Sequence, residues 1–343
     1  LKGRGDVEEF LFVMETYLSV VMKLLVAAVA VKRGLAGVSS LRALFARSPR
    51  RAFEELEVRV PLLRGCFEYD TFAWFADAAR HNKVMDHKVS RIIWTLALLL
   101  DRLDISGLSF DILRRLYQES FTREVRRALG EFYTREDIVE EVLDYVGYRG
   151  PEILDKLLLD PVCGSGTFLI LAIKRFIEEG KRRGLSNVEL LKRVTERIVG
   201  IDIHPFAVAM ARVNYLLAIS DLVGPDVADA LGELRIPVYW TDSLAGFAKR
   251  PDPTALPIVE VEVEPLGRFL LPDPDALPWD RLFDTVKRAV EEGWSEERYL
   301  QEFDEEVRLR YSRTLRDLFR MFMERAREGR DSRWLPTLRN VVV

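Results

Sequence analysis

The sequence has 343 residues, of which 48% are hydrophobic and 31% are charged, a balance typical of a folded, charge-rich protein and not of a disordered one. The length allows about two domains, at the usual ~150 residues each, one of which can hold a large α/β core. A net charge of −4 argues against a protein that coats a polyanion with its whole surface, so any contact with nucleic acid is expected to be local.

The cysteine count, the scarcity of amide side chains and the two ends of the chain each lead to an expectation. Two cysteines, Cys66 and Cys163, are too few for a disulfide framework, which favours the reducing cytoplasm as the location. Asparagine and glutamine are scarce while arginine and glutamate abound, the bias of thermophile proteins. The chain starts at Leu1 and stops on three valines at 341–343, so we expect a piece of a longer polypeptide.

The first part of the chain, residues 1–129, is predicted to be a helical N-terminal domain. Apolar residues recur there with helical spacing, as in residues 91–100. The most apolar stretch, residues 11–31, is interrupted by Glu15 and Lys23, whereas a membrane span needs ~20 residues with few or no charges. The spacing favours a buried amphipathic helix, and we expect no membrane contact.

From residue 157 onward, short apolar runs alternate with helical stretches. The runs end in Asp160, Asp202 and Asp242. Strands that alternate with helices predict βαβ units and a parallel sheet, hence an α/β fold class. Beyond this core, residues 245–343 are predicted to be a charged, largely helical insertion with one half-exposed strand, placed between the third and fourth core strands.

A glycine turn lies between the first predicted strand and the next helix, at residues 160–167. Gly164 and Gly166 let the backbone turn tightly and approach a ligand, and the following helix presents unpaired N–H groups to it. A phosphate-binding Walker loop needs a lysine that is missing here, and a dinucleotide fingerprint needs a glycine where Leu169 stands. Cys163 lies inside the turn, where a small side chain packing beneath a ligand is its expected role, and not that of a cytosine methylase nucleophile.

The segment 160–169 (Asp-Pro-Val-Cys-Gly-Ser-Gly-Thr-Phe-Leu) resembles the S-adenosyl-L-methionine (SAM) loop of N6-adenine DNA methyltransferases of type I and type IIG restriction–modification systems. Residues 130–134 (Gly-Glu-Phe-Tyr-Thr) resemble the segment that precedes this loop, although Arg135 replaces the usual proline. Residues 200–214 and 241–244 match the next two family segments in order. The resemblance implies a Rossmann-like SAM-binding core at 130–244, incomplete at its C-terminal end.

The resemblance also implies how SAM is held. Tyr133 and Thr134 would hold its methionine end, and Asp160 its ammonium group. Asp202 would accept the ribose hydroxyls and Asp242 the amino group of the SAM adenine. The other implied cofactor-binding residues are Pro161, Val162, Cys163, Gly164, Gly166, Thr167, Ile203, His204, Ser243 and Leu244.

Plainer structural roles stay open for several of these residues. Thr134 also fits the N-cap of the following helix, with Asp137 in capping-box position. Asp160 also fits a cap on the glycine turn. His204 is interpreted as packing near the adenosine, because three histidines without clustered partners do not favour a metal site.

The catalytic motif of the family is missing from this sequence. The family places an [Asn/Asp]-Pro-Pro-aromatic loop after the fourth strand, and this sequence has no Pro-Pro dipeptide. We therefore expect no catalytic residue in this chain, which would bind SAM without methylating DNA by itself. The basic stretch 42–51 is followed at once by glutamates and reads as a solvated face, so DNA contact is expected mainly from regions beyond Val343.

Two other functions stay open at this point. The chain could be a stand-alone SAM-binding or regulatory subunit whose catalytic half lies on another polypeptide. It could also be an RNA or protein amino-methyltransferase, although residues 130–134 favour DNA as the substrate. Expected partners are DNA and a specificity subunit, a restriction subunit or a C-terminal continuation.

Overall fold

The computed structural model describes residues 4–46, 82–102, 134–231, 234–243, 258–263 and 267–327. Contacts divide the chain into two compact units, Leu1–Tyr239 and Trp240–Val343. Helices combined with a parallel three-stranded sheet confirm the α/β class, whereas a complete Rossmann-like core stays a prediction. The predicted boundaries at 129 and 244 also stay predictions.

The described N-terminal helices are α1 (Arg4–Lys32), α2 (Leu41–Leu44) and α3 (Lys83–Leu100). Short polar side chains begin two of them, because the oxygens of Ser40 and Asn82 accept backbone N–H groups of the first turn. Asp101 ends α3, and its carboxylate accepts the N–H groups of Leu41 and Arg42. The end of α3 is thereby joined to the start of α2.

Strands and helices then alternate as predicted. The elements in chain order are α4 (Glu136–Tyr145), a 3-10 turn (Pro151–Asp155), β1 (Leu158–Asp160), α5 (Thr167–Arg182), α6 (Asn187–Arg197), β2 (Ile198–Asp202), α7 (Pro205–Ile219), a second 3-10 turn (Ser220–Leu222), α8 (Pro225–Leu231) and β3 (Val238–Trp240).

The sheet has the strand order β1-β2-β3. β1 and β2 are parallel, with Leu158 opposite Ile198 and Asp160 opposite Gly200. On the other side of β2, the N–H of Gly200 donates to the carbonyl of Pro237 at 2.9 Å. Because consecutive strands run in one direction, their carboxyl ends meet at one edge of the sheet, where ligands of open α/β folds bind.

Helix α1 is long and apolar enough, over Glu9–Lys32, to cross a membrane by length and composition alone. In the structure 61% of the most apolar 18 residues of this helix are buried, and α1 packs against α2, α3 and α7. Lys23 lies in this buried stretch with 9% of its surface exposed. The packing is that of a core helix, as the polar interruptions predicted.

A residue predicted to begin a helix does not do so. Helix α4 begins after Arg135, which has extended backbone angles and makes no capping bond with its side chain. The predicted Thr134–Asp137 capping box is therefore wrong. The first intrahelical bond runs from the Val139 N–H to the Arg135 carbonyl, so Arg135 occupies the cap position. The Asp137 carboxylate instead accepts from the Arg135 guanidinium, with Nε and Oδ1 3.0 Å apart.

The second unit contains the predicted half-exposed strand and the predicted helices, and also a second strand that the sequence did not predict. The antiparallel pair β4 (Ile258–Val263) and β5 (Gly267–Pro272) packs with three helices. Phe269, Tyr299 and Phe322 lie in an apolar core that belongs to this unit. The helices are α9 (Trp279–Glu292), α10 (Glu296–Gln301) and α11 (Glu305–Arg327), the last kinked at Tyr311.

Arg175 of α5 is expected to stabilise the first unit. Its guanidinium is 19% exposed and donates to the carboxylates of Glu140 and Asp144 on α4. It also donates to the carbonyl of Tyr148. Arg175→Ala should lower the free energy of unfolding by about 2 kcal/mol in urea denaturation, because charge-assisted bonds in a half-buried network are lost together. Lys181→Ala, an exposed position on the same helix, should change it by less than about 0.5 kcal/mol. Equal effects would contradict this role.

His204 is expected to make stability depend on pH. Its Nδ1 accepts the N–H of Ala207 at 3.4 Å at the start of α7, which requires a neutral imidazole. Burial lowers the pKa of His204, and the negative charge of Asp202, which raises this pKa, does not outweigh the effect of burial. The unfolded chain therefore binds a proton at higher pH than the folded one, and stability should fall as the pH drops below about 6.5, the ordinary histidine pKa.

The test compares urea denaturation of the wild type and His204→Asn across that pH range. Asparagine keeps a capping oxygen but does not titrate, so the variant should lose this part of the acid destabilisation. Only the difference between the two proteins is diagnostic, because other groups titrate in both. Parallel pH profiles would show that the His204 imidazole is not responsible.

Candidate functional site

Two carboxylates end adjacent strands at the carboxyl edge of the sheet. Asp160 closes β1 and Asp202 closes β2. Burial raises the pKa of the Asp160 carboxyl; the hydrogen bond from the Val162 N–H at 3.2 Å opposes this rise, and the negative charge of Asp202 adds to it. The edge thus concentrates negative charge in a partly desolvated place, which favours a cationic ligand group.

The glycine turn between β1 and α5 is fixed by backbone hydrogen bonds. The N–H of Cys163 donates to the carbonyl of Ile201 in β2 at 2.8 Å. The N–H of Gly166 donates to the backbone carbonyl of Cys163 at 2.8 Å. Gly166 has a φ of +87°, and a Cβ there would lie 3.3 Å from the Cβ of Ala211 in α7. Both the positive φ and the close helix explain why glycine stands at this position.

Asp202 has a structural contact that the sequence did not reveal. Its Oδ2 accepts the N–H of Gly164 at 2.8 Å, and its Oδ1 accepts the N–H of His204 at 2.9 Å. The carboxylate therefore joins the glycine turn to the end of β2. A carboxylate offers about four acceptor directions, so these two bonds leave directions for ligand hydroxyls. Gly164 is separated from Asp202 by 38 residues, and no local pattern signals this contact.

Cys163 packs beneath the turn, against β2. It is 7% exposed, and a Cβ on Gly200 would lie 3.0 Å from its Sγ. Burial raises the pKa of this thiol, and the charges of Asp160 and Asp202 raise it further, so the thiol stays protonated and unreactive. This environment agrees with a packing role; a position beneath a ligand stays a prediction.

Exposed apolar side chains flank the carboxylates. Val162 in the turn is 73% exposed, and Ile203, directly after Asp202, is 66% exposed. Pro161 is exposed as well, whereas Thr167, at the start of α5, is buried. Apolar groups beside carboxylates suit a ligand with a flat ring and polar substituents.

The structure brings together only part of the predicted set. Residues 160–167 and 202–204 meet at the edge of β1 and β2. Thr134 is half-buried, one residue before the α4 cap. Exposed Asp242 and half-buried Ser243 follow β3 and belong to the second unit. The predicted residues that lie outside the described part of the chain are Tyr133 and Leu244.

Comparison with known proteins places this edge inside a family segment. Residues 109–232 match the family described as N-6 DNA Methylase. The match contains the glycine turn, Asp160 and Asp202, and it ends before β3.

Three curated proteins are similar to parts of the chain. The adenine-specific methyltransferase PglX of Streptomyces coelicolor is 30% identical over 131 residues, which cover 36% of this chain and 11% of that protein. The type II methyltransferase M.BstVI of Geobacillus stearothermophilus is 36% identical over 84 residues, covering 24% and 15%. The type II methyltransferase M.VspI of a Vibrio species is 38% identical over 60 residues, covering 18% and 14%.

The chain thus spans between 11% and 15% of the length of these relatives, and all three are named as methyltransferases. Their names and the family match agree with the motifs read from the sequence. The resemblance is therefore confirmed: residues 109–232 match the family described as N-6 DNA Methylase, and all three relatives are named methyltransferases.

Proposed function

We propose that this chain binds SAM at the carboxyl edge of its sheet, as the cofactor-binding part of an N6-adenine DNA methyltransferase. The observation that carries the proposal is the pair of carboxylates, Asp160 and Asp202, at the ends of adjacent parallel strands around one glycine turn. This pair lies within the N-6 DNA methylase match.

Asp160 suits the ammonium group of SAM. Its charged form is disfavoured by burial and by Asp202, and a cation bound beside it would reverse that cost. The Val162 N–H holds one oxygen of the carboxylate in place before a ligand arrives. Asp160 would therefore both bind the amino acid end of SAM and fix its orientation.

Asp202 suits the ribose of SAM. Its two bonds to backbone N–H groups fix the plane of the carboxylate, and its remaining acceptor directions suit two neighbouring hydroxyls. The exposed side chains of Val162 and Ile203 would contact the adenine ring. Tyr133 and Thr134 would contact the methionine end, as the resemblance implies.

The reaction belongs to the whole enzyme. When bound, SAM would supply the methyl group, and its acceptor would be N6 of an adenine flipped out of the duplex. The residues of this chain would hold and orient the donor, while the proton acceptor and the base-stacking loop would come from outside it. DNA, and a specificity or restriction subunit or a C-terminal continuation, would be the partners.

Asp160→Asn should separate ligand binding from stability. Asparagine can still accept the Val162 N–H but carries no charge. SAM affinity measured by calorimetry near pH 7.5 should fall ten- to hundredfold, because a charge-assisted bond to the ammonium is lost. The free energy of unfolding should stay the same or rise, since a carboxylate with a raised pKa destabilises the folded state above its ordinary pKa.

Methylthioadenosine is the matched control ligand, because it has the nucleoside of SAM without the amino acid end. Asp160→Asn should bind it as the wild type does, whereas Asp202→Ala should weaken both ligands. Equal loss of both ligands in Asp160→Asn would show that Asp160 does not hold the ammonium group.

The chain should also bind SAM without transferring its methyl group. Incubation of the purified chain with labelled SAM and an adenine-containing duplex should leave the DNA unlabelled, because the sequence has no Pro-Pro loop. Label above background on adenine N6 would place the catalytic residues within these 343 residues.

A further inference from the structure

Asn214 of α7 is a buried amide beside the glycine turn. It is 1% exposed, and its Nδ2 donates to the carbonyl of Ser165 at 2.9 Å. Its Oδ1 is buried and has no hydrogen-bond partner within the part of the chain that the structure describes. An amide with one buried atom unpaired costs stability that an apolar side chain would not, so the bond to Ser165 calls for a physical reason.

The bond fixes one peptide group of the turn. The carbonyl of this group belongs to Ser165 and accepts Asn214, and its N–H belongs to Gly166 and donates to Cys163. The peptide group is thus held at both ends. Gly166 has a φ of +87°, a conformation that glycine can leave at little steric cost. Without the Asn214 bond, this peptide group would be held only at its N–H end, by the Cys163 carbonyl.

Helix α7 meets the turn along one face. Ala211 lies three residues before Asn214, on the same side of the helix, and approaches Gly166. The helix therefore supports the turn through one packing contact and one hydrogen bond. The packing contact limits how far the turn can move, whereas the hydrogen bond sets the direction of its peptide group.

That direction determines how helix α5 begins. Gly166 is the N-cap residue, and the first intrahelical bond runs from the N–H of Ile170 to its carbonyl. The N–H groups at 167–169 precede that bond and point out of the helix start, as in every α-helix. Rotation of the peptide group at 165–166 would reorient them, and it would also shift Gly164, which donates to Asp202.

We propose that Asn214 is a positioning residue for the cofactor: its amide holds the Ser165 carbonyl so that the glycine turn keeps the shape that binds SAM. The proposal rests on the proposed function and adds to it a residue that does not touch the ligand. Asn214 acts only through the turn, so its effect should appear in SAM affinity beyond any effect on folding.

The decisive variant is Asn214→Asp, studied by calorimetric titration with SAM between about pH 5 and pH 8. At high pH the carboxylate faces the Ser165 carbonyl with no proton to donate, and affinity should be at least about tenfold below that of the wild type. At low pH the neutral carboxyl donates its O–H to the same carbonyl, and affinity should recover. Asn214→Leu should be about tenfold weaker at every pH.

The wild type is titrated at each pH, because Asp160 and His204 titrate in both proteins. Recovery of affinity in Asn214→Asp relative to the wild type supports the proposal. A constant ratio between the two proteins overturns it. This comparison is made within one variant across the pH range, so it does not depend on whether Asn214→Leu folds.

Tyr215→Phe is the matched control on the same helix. The Tyr215 hydroxyl is buried and donates to the carbonyls of Val194 and Ile198, at the amino end of β2 and away from the turn. Its loss should lower the Tm and leave SAM affinity unchanged. Asn214 variants that lower the Tm in the same way with unchanged affinity would overturn the positioning role alone. A wild type that does not bind SAM would overturn the proposed function and, with it, this proposal.

Discussion

The hydrogen bond between the Gly164 N–H and the Asp202 carboxylate is the contact on which the candidate site depends. It joins the turn after β1 to the end of β2 across 38 residues of sequence. Since Asp202 also accepts the N–H of His204, one carboxylate sets the turn, the strand end and the start of α7. A ligand at this edge therefore meets groups whose positions are fixed before it binds, which lowers the entropy lost on binding.

The carboxylate of Asp160 at this edge lowers the stability of the folded chain. Asp160 is partly desolvated beside a second carboxylate, and both effects disfavour its charged form and raise its pKa. Such a cost is expected where function, and not stability, selects the residue. A cationic ligand would remove the cost, which makes folding stability and ligand binding oppose each other at Asp160.

Local patterns were enough to predict β1, β2 and β3, the helices α5, α6 and α7 between them and the three acids at or just after the strand ends, but neither α8 nor β5. Glycine turns and apolar periodicity are local signals, and a parallel sheet brings strand ends to one edge. The Thr134 cap was wrong because Arg135 has extended backbone angles and occupies the cap position, which spacing alone does not reveal. Arg175 and Asn214 were missed because their partners, 27 to 49 residues away, depend on how helices pack.

Helix α7 contributes as much to the edge as the strands do. It begins at His204 beside Asp202, approaches Gly166 at Ala211, and holds the turn through Asn214. The buried Arg212 guanidinium donates from Nε and Nη2 to the carbonyl of Val238 in β3, at 2.9 and 2.8 Å. One helix thus fixes the turn after β1, the end of β2 and a carbonyl of β3. This explains why residues 200–214 form one segment. Asp202 would bind the ligand, and helix α7, which follows it, holds the groups around the ligand in place.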